Sequence, residues 1–211
     1  MQNLTLVLRH YSKLKPINCT VLSGDIKKLF TVKFGENESK ESDFIKGDPV
    51  LIGLLSQQES IEINGGSVVA AIPVENSYII CSNEVETFTK EKREFNRYPT
   101  SLLADIKLVG SSKRDAACIK DISYAGMCIY STGDFEIDSK IDINLYFSTN
   151  VITFETVVLR KTKIFGRNEY GLQILHRDKN AMYSAQSQVA TIIQNEKDLM
   201  LRHLSSLVFK I

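Results

Sequence analysis

Ile141-Asp142-Ile143-Asn144-Leu145 alternates aliphatic and polar residues without a break. Successive side chains of a β-strand point to opposite faces, so this run must bury Ile141, Ile143 and Leu145 on one side. Ala104-Asp105-Ile106-Lys107-Leu108 shows the same period of two. Val151 to Arg160 continues as another strand, and Tyr170-Gly171-Leu172-Gln173-Ile174-Leu175 closes the set. Five or six short strands joined by tight turns predict a small antiparallel barrel in the second half of the chain.

The first half has the same texture. Candidate strands are Thr5 to Leu8, Asn18 to Leu22, Leu29 to Phe34, Val50 to Leu55, Ser67 to Ile72 and Tyr78 to Ser82. Ser23-Gly24-Asp25, Gly35-Glu36-Asn37 and Asn64-Gly65-Gly66 read as turns, and Glu36 to Lys46 as a solvated loop. Between the halves, Glu and Lys/Arg crowd together over Glu84 to Arg97 (EVETFTKEKREFNR), and Pro99 stops any helix there. Linkers are polar and exposed, so the boundary is placed here, with one domain over 1–90 and another over 91–211. After Asp178 the pattern turns helical, with Met182, Val189, Ile192 and Ile193 on one face. Leu199 to Phe209 either extends that helix or packs as a separate tail. The expected fold is mainly β: two small antiparallel barrels, the first split-barrel-like, and a C-terminal helix.

Apolar residues make up 43% and charged residues 24% of the 211, as in ordinary folded proteins. The formal net charge is +1, so no global field recruits nucleic acid or anionic lipid, and an anion must be held by a local cluster. No apolar stretch approaches the ~20 residues of a membrane helix, and the first residues lack a secretory pattern. Cys19, Cys81, Cys118 and Cys128 form no CxxC pair and read as buried free thiols of a reducing cytosol. His10, His176 and His203 are scattered, without HExxH or triad context. No Walker loop or GxGxxG occurs, and no catalytic residue or metal site is expected. A cytoplasmic non-enzyme follows.

Two short patterns carry chemistry. Arg93-Glu94-Phe95-Asn96-Arg97 is an RxxxR in the linker, and Asp121-Ile122-Ser123-Tyr124-Ala125-Gly126 is a DxSxxG between two strands. The arginines alone could be a solvated charge run, and Asp-Ser-Gly a plain turn. Both in this order, ahead of one barrel, are rare by accident. Arginine offers a planar fork that bonds phosphate bidentately or pairs with guanine O6 and N7. A carboxylate such as Asp121 accepts from guanine N–H groups, Ser123 can add a hydroxyl contact, and Gly126 permits close approach or a positive φ.

With both motifs intact, the chain from about Lys92 to the helix after Leu175 resembles the PilZ domain family, bacterial receptors for cyclic di-GMP. The resemblance implies a six-stranded PilZ barrel, with Arg93 and Arg97 on phosphate and guanine and with Asp121, Ser123 and Gly126 completing the guanine pocket. Lys92, just ahead of the pair, would face the extra phosphates of a second bound molecule. The preceding 90 residues resemble, in layout only, the other β-domain of YcgR-like flagellar-brake proteins. What this implies is a cyclic di-GMP adaptor acting through a protein partner such as a flagellar motor component. Such a protein would be cytoplasmic, recruited to the basal body, and would regulate motility or biofilm behaviour. No cofactor, DNA, RNA or membrane insertion is expected, and a homodimer stays open. The competing readings are a flavin-binding split barrel and a degenerate PilZ-like module that binds no nucleotide. A single-stranded nucleic-acid binder would need a basic groove with exposed aromatics, which a near-neutral chain does not suggest.

Overall fold

The computed structural model describes residues 5–35, 44–55, 61–83, 95–147 and 150–208. By packing, the chain divides into two compact units: Met1–Lys92 with Glu196–Ile211, and Arg93–Asn195.

The first unit is a closed six-stranded barrel, ordered β1-β2-β3-β6-β5-β4. Its strands are β1 (Thr5–Arg9), β2 (Ile17–Gly24), β3 (Leu29–Phe34), β4 (Pro49–Leu55), β5 (Ile61–Ile72) and β6 (Ser77–Ser82). Alternation fills the interior. Leu6 and Leu8 point inward with Phe30, Val32, Ile52 and Ile80, while Val7 and Leu51 face out. Two expectations are corrected here. Asn64-Gly65-Gly66 is no turn but lies within β5, paired to Ile52, Leu51 and Val50 of β4. Gly66 is there because the sheet is tight: a Cβ on it would come within 2.7 Å of Ile52 Cδ1 and 2.9 Å of the Cys81 carbonyl. In the expected solvated loop, residues 36–43, which include Glu36 and Asn37 of one expected turn, lie outside the described part. Phe44, however, is core: it is 1% exposed and packs on the rings of Phe34, Tyr78 and His10.

The second unit is also a closed six-stranded antiparallel barrel, ordered β10-β11-β12-β9-β8-β7. Its strands are β7 (Tyr98–Leu108), β8 (Asp115–Ile122), β9 (Gly126–Ser131), β10 (Lys140–Phe147), β11 (Asn150–Ile164) and β12 (Arg167–Ile174). The alternating run is the middle of β10: Ile141, Ile143 and Leu145 are fully buried in the core, opposite Thr156, Phe154 and Ile152 of β11. Pro99 sits near the start of β7, beside the irregularity between Pro99 and Leu102, where a strand tolerates a missing N–H.

Helix α1 (Lys179–Val208) follows β12, so the described part of the Leu199 to Phe209 segment extends the helix rather than forming a tail. The Asp178 carboxylate accepts a hydrogen bond from the Ala181 N–H at 2.8 Å, a side-chain N-cap. Ala185, Val189, Ile192 and Ile193 join the core of the second unit. In the first unit, Met200 and Leu204 pack on Val7 and Leu51. For that reason Glu196–Ile211 groups with the first unit, whereas the sequence reading assigned all of 91–211 to the second domain.

Candidate functional site

The β8–β9 hairpin carries the DxSxxG. Asp121 is at the end of β8, in register with Pro99 on β7 and Cys128 on β9. Arg97 immediately precedes β7, so strand pairing alone brings the two motifs together. Arg97 Nη1 donates to Asp121 Oδ1 at 2.7 Å, and the side chains keep 25% and 20% exposure. Two residues earlier, Phe95 meets Tyr124 of the hairpin edge-on, ring centroids 6.1 Å apart. The end of the RxxxR segment is therefore docked on the DxSxxG at two points. Lys92 and Arg93 lie outside the described residues.

Ser123 and Gly126 have a different character from Asp121. The Ser123 N–H donates to the Gly126 carbonyl at 2.8 Å. Its hydroxyl donates to the same carbonyl at 3.1 Å and accepts from the Gly126 N–H at 3.2 Å. Ser123 is only 4% exposed, so its hydroxyl is committed to closing the turn. Gly126 has no left-handed φ; its need is space, since a Cβ there would sit 2.1 Å from the Leu172 carbonyl oxygen of β12. The turn is held from the same side by the Ile174 N–H, which donates to the Ala125 carbonyl at 2.9 Å. Of the motif, Asp121 offers chemistry to solvent, while Ser123 and Gly126 shape the turn that carries it.

Sequence reasoning missed the rest of this sheet face. Register runs Asp121–Cys128–Gly171–Arg160 across β8, β9, β12 and β11. Arg160 Nη2 lies 3.8 Å from Cys128 Sγ and 3.4 Å from Glu169 Oε1. Lys120 Nζ is 3.5 Å from Glu169 Oε2 and 5.7 Å above the Tyr130 ring. Burial, with the negative charges of Asp121 and Glu169, pushes the Cys128 thiol up to about 12. It stays protonated at neutral pH and is no nucleophile. No local pattern marks these residues, because they come from strands far apart in sequence.

In the first unit, His10 is not as isolated as the sequence suggested. His10 Nε2 faces Asp48 Oδ2 at 3.1 Å, and Nδ1 receives the Ser12 N–H at 3.2 Å with the Ser12 hydroxyl at 2.7 Å. The backbone donor makes Nδ1 the acceptor, so Nε2–H donates to Asp48, which also accepts from Tyr11 Oη and the Ile45 N–H. The imidazole is fully buried against the Tyr11 and Phe44 rings. This network ties a loop to the barrel and offers no cleft for a reacting group. Among the described residues no three His, Cys, Asp or Glu side chains gather as metal ligands, and no helix is long and apolar enough to cross a membrane.

Residues 91–191 match the family model described as the PilZ domain. The chain carries a PilZ domain. The match spans both motifs and the barrel up to the first turns of α1, as the two motifs had led us to expect. Among solved structures the chain is similar to MrkH of K. pneumonia in complex with c-di-GMP, at 13% identity and a TM-score of 0.43, covering 93% of this chain and 90% of that one. It is also similar to YcgR of Escherichia coli in complex with c-di-GMP, at 10% identity and 0.42, covering 92% and 86%. A third is the Bacillus subtilis inhibitor of motility MotI/DgrA, at 12% identity and 0.38, covering 96% of each chain. No curated protein matches.

Proposed function

We propose that this chain is a cytoplasmic receptor for cyclic di-GMP, binding it on the PilZ domain through Arg93, Arg97 and Asp121. Ser123 and Gly126 act by shaping the turn beneath Asp121, and Lys92 faces the phosphates of a second stacked molecule. The observation that carries the reading is the juxtaposition of Arg97 and Asp121 at 2.7 Å on a partly exposed face. A guanidinium has five N–H donors, more than one carboxylate oxygen takes up, so the pair presents donors for phosphate or guanine O6 and N7. The carboxylate beside them matches the N–H edge of guanine.

The output is a change in domain arrangement read by a protein partner. The RxxxR falls where the chain passes from one unit to the other. Ligand drawn onto Arg93, Arg97 and Asp121 together biases that passage, by no more than its differential affinity for the two arrangements. A flagellar motor component is the partner we expect.

The test is calorimetric titration of the whole chain with cyclic di-GMP, alongside GTP, GMP and cyclic AMP. Cyclic di-GMP should bind in preference to all three, with a stoichiometry near two. A flat titration at high micromolar ligand overturns the receptor reading, and a stoichiometry of one overturns the role given to Lys92. Small-angle scattering should change on ligand addition in the parent and not in Arg97→Ala; unchanged dimensions in the parent overturn the rearrangement.

A further inference from the structure

We infer that Arg160 is a further ligand-gripping residue of the PilZ domain, laid across Gly171 so that its guanidinium forms the second cationic end of the site begun by Arg97 and Asp121. This rests on the receptor reading above.

The register Asp121–Cys128–Gly171–Arg160 crosses four neighbouring strands. At ~4.8 Å per strand the row is roughly 14 Å long. Arg160 does not point away from it. Its side chain folds back over β12, bringing Nη2 to 3.8 Å from Cys128 Sγ, one strand short of Asp121. Glycine at 171 leaves room for this: a Cβ there would come within 2.7 Å of both Arg160 Cγ and Nε, and the arginine would have to shift. Gly171 is thus a seat for the arginine. Two guanidinium groups, Arg97 and Arg160, then approach the Asp121–Cys128 part of the row from opposite ends.

A merely structural role for Arg160 is to neutralise Glu169, which is 4% exposed. That role has another occupant. Lys120 Nζ lies 3.5 Å from Glu169 Oε2, with its side chain 15% exposed, so the buried carboxylate has a buried counter-ion of its own. Arg160 touches the other oxygen at 3.4 Å while its side chain stays 53% exposed. Its planar fork can therefore take a phosphate bidentately or stack on a base while the stem remains seated. A cyclic dinucleotide carries two phosphates in one rigid ring, and a mononucleotide can engage only one end of such a row. Arg160 would thus contribute selectivity for the dinucleotide as well as affinity.

The test compares the full chain with Arg160→Gln, Arg160→Lys, Glu169→Gln and the exposed control Arg177→Gln, each titrated with cyclic di-GMP and with GMP and melted without ligand. Arg160→Gln should weaken cyclic di-GMP binding roughly tenfold or more, the loss expected for a charge-assisted hydrogen bond. Its unliganded melting temperature should hold, GMP binding should change little, and Arg177→Gln should behave as the parent. Arg160→Lys keeps charge and stem but loses the fork, and should recover only part of the affinity. It also stands in if the glutamine variant folds poorly. Glu169→Gln should not weaken binding, since it frees Arg160 without removing it. If Arg160→Gln and Arg160→Lys bind as the parent does, or Glu169→Gln costs as much as Arg160→Gln, Arg160 is structural and the inference falls. If the parent itself binds no cyclic di-GMP, it is the receptor reading that has failed.

Discussion

Gly126→Ala should unfold the PilZ domain at a distinctly lower temperature, and the structure sets the size of the effect. The new Cβ would stand 2.1 Å from the Leu172 carbonyl oxygen and 3.3 Å from Gln173 Cα, whereas real Cβ atoms essentially never come closer than 3.0 Å to a neighbour. Both obstacles are backbone, so no rotamer change relieves the clash. Either β9 must part from β12, or the hairpin must tilt and stretch the Ile174 N–H to Ala125 bond, now 2.9 Å. Overpacking of this kind costs ~1–3 kcal/mol and a weakened backbone hydrogen bond ~0.5–1.5 more. A loss of about 2–4 kcal/mol lowers the melting temperature of a domain of about 100 residues by roughly 10–20 °C. Thermal and urea unfolding of the full chain would read it. Because the same shift moves Asp121, ligand affinity should fall with stability. A variant that melts with the parent would refute the close-approach account, and Gly126 would then have to act on the ligand directly.

Arg97→Ala and Asp121→Ala should each weaken cyclic di-GMP binding about ten- to a hundredfold while melting close to the parent, because the pair is partly exposed. Normal binding with a lowered melting temperature would make the motifs structural. Cys128 should resist alkylation at pH 8 in the folded chain and react after denaturation, read by mass spectrometry. Its folded value is raised above that of a free thiol, so the stability it contributes is complete below about pH 9 and fades as pH rises towards 12. Cys128→Ser should flatten that alkaline loss, and unchanged alkaline behaviour would count against the buried-thiol account. Phe44→Ala should destabilise the first barrel by about 3–5 kcal/mol, as expected for a fully buried aromatic, with ligand affinity unchanged if the ligand is held on the PilZ domain alone. A cost below 1 kcal/mol in urea unfolding would return Phe44 to the solvated loop.

What was legible in the sequence was whatever short-range physics writes locally. The period-two runs at Ala104 to Leu108 and Ile141 to Leu145 set their aliphatic residues on one face, and both are strands of the second barrel, with only Leu108, at the end of β7, left exposed. Leu29 to Phe34 was legible to the residue. So was the pairing of RxxxR with DxSxxG, a motif signal that needs no coordinates. Misreadings arose where one residue type serves two purposes. Gly65-Gly66 looks like a turn and is a tight strand, because glycine admits both a sharp bend and a close neighbour, and only the position of Ile52 tells which. Phe44 sits among charged residues, and its burial depends on Phe34 of β3 and Tyr78 of β6 meeting it. Inside the candidate site, sequence named Asp121 and Ser123 alike as ligand contacts. The hairpin separated them, leaving the carboxylate at the surface and turning the hydroxyl onto the Gly126 backbone. Arg160 was beyond reach from the chain alone. It lies 39 positions after Asp121, and closure of the barrel, through the registers of β8, β9, β12 and β11, set it in the same row. Alternation states which face a residue takes, but which residues share that face is a property of strand order, and strand order exists only once the barrel has closed.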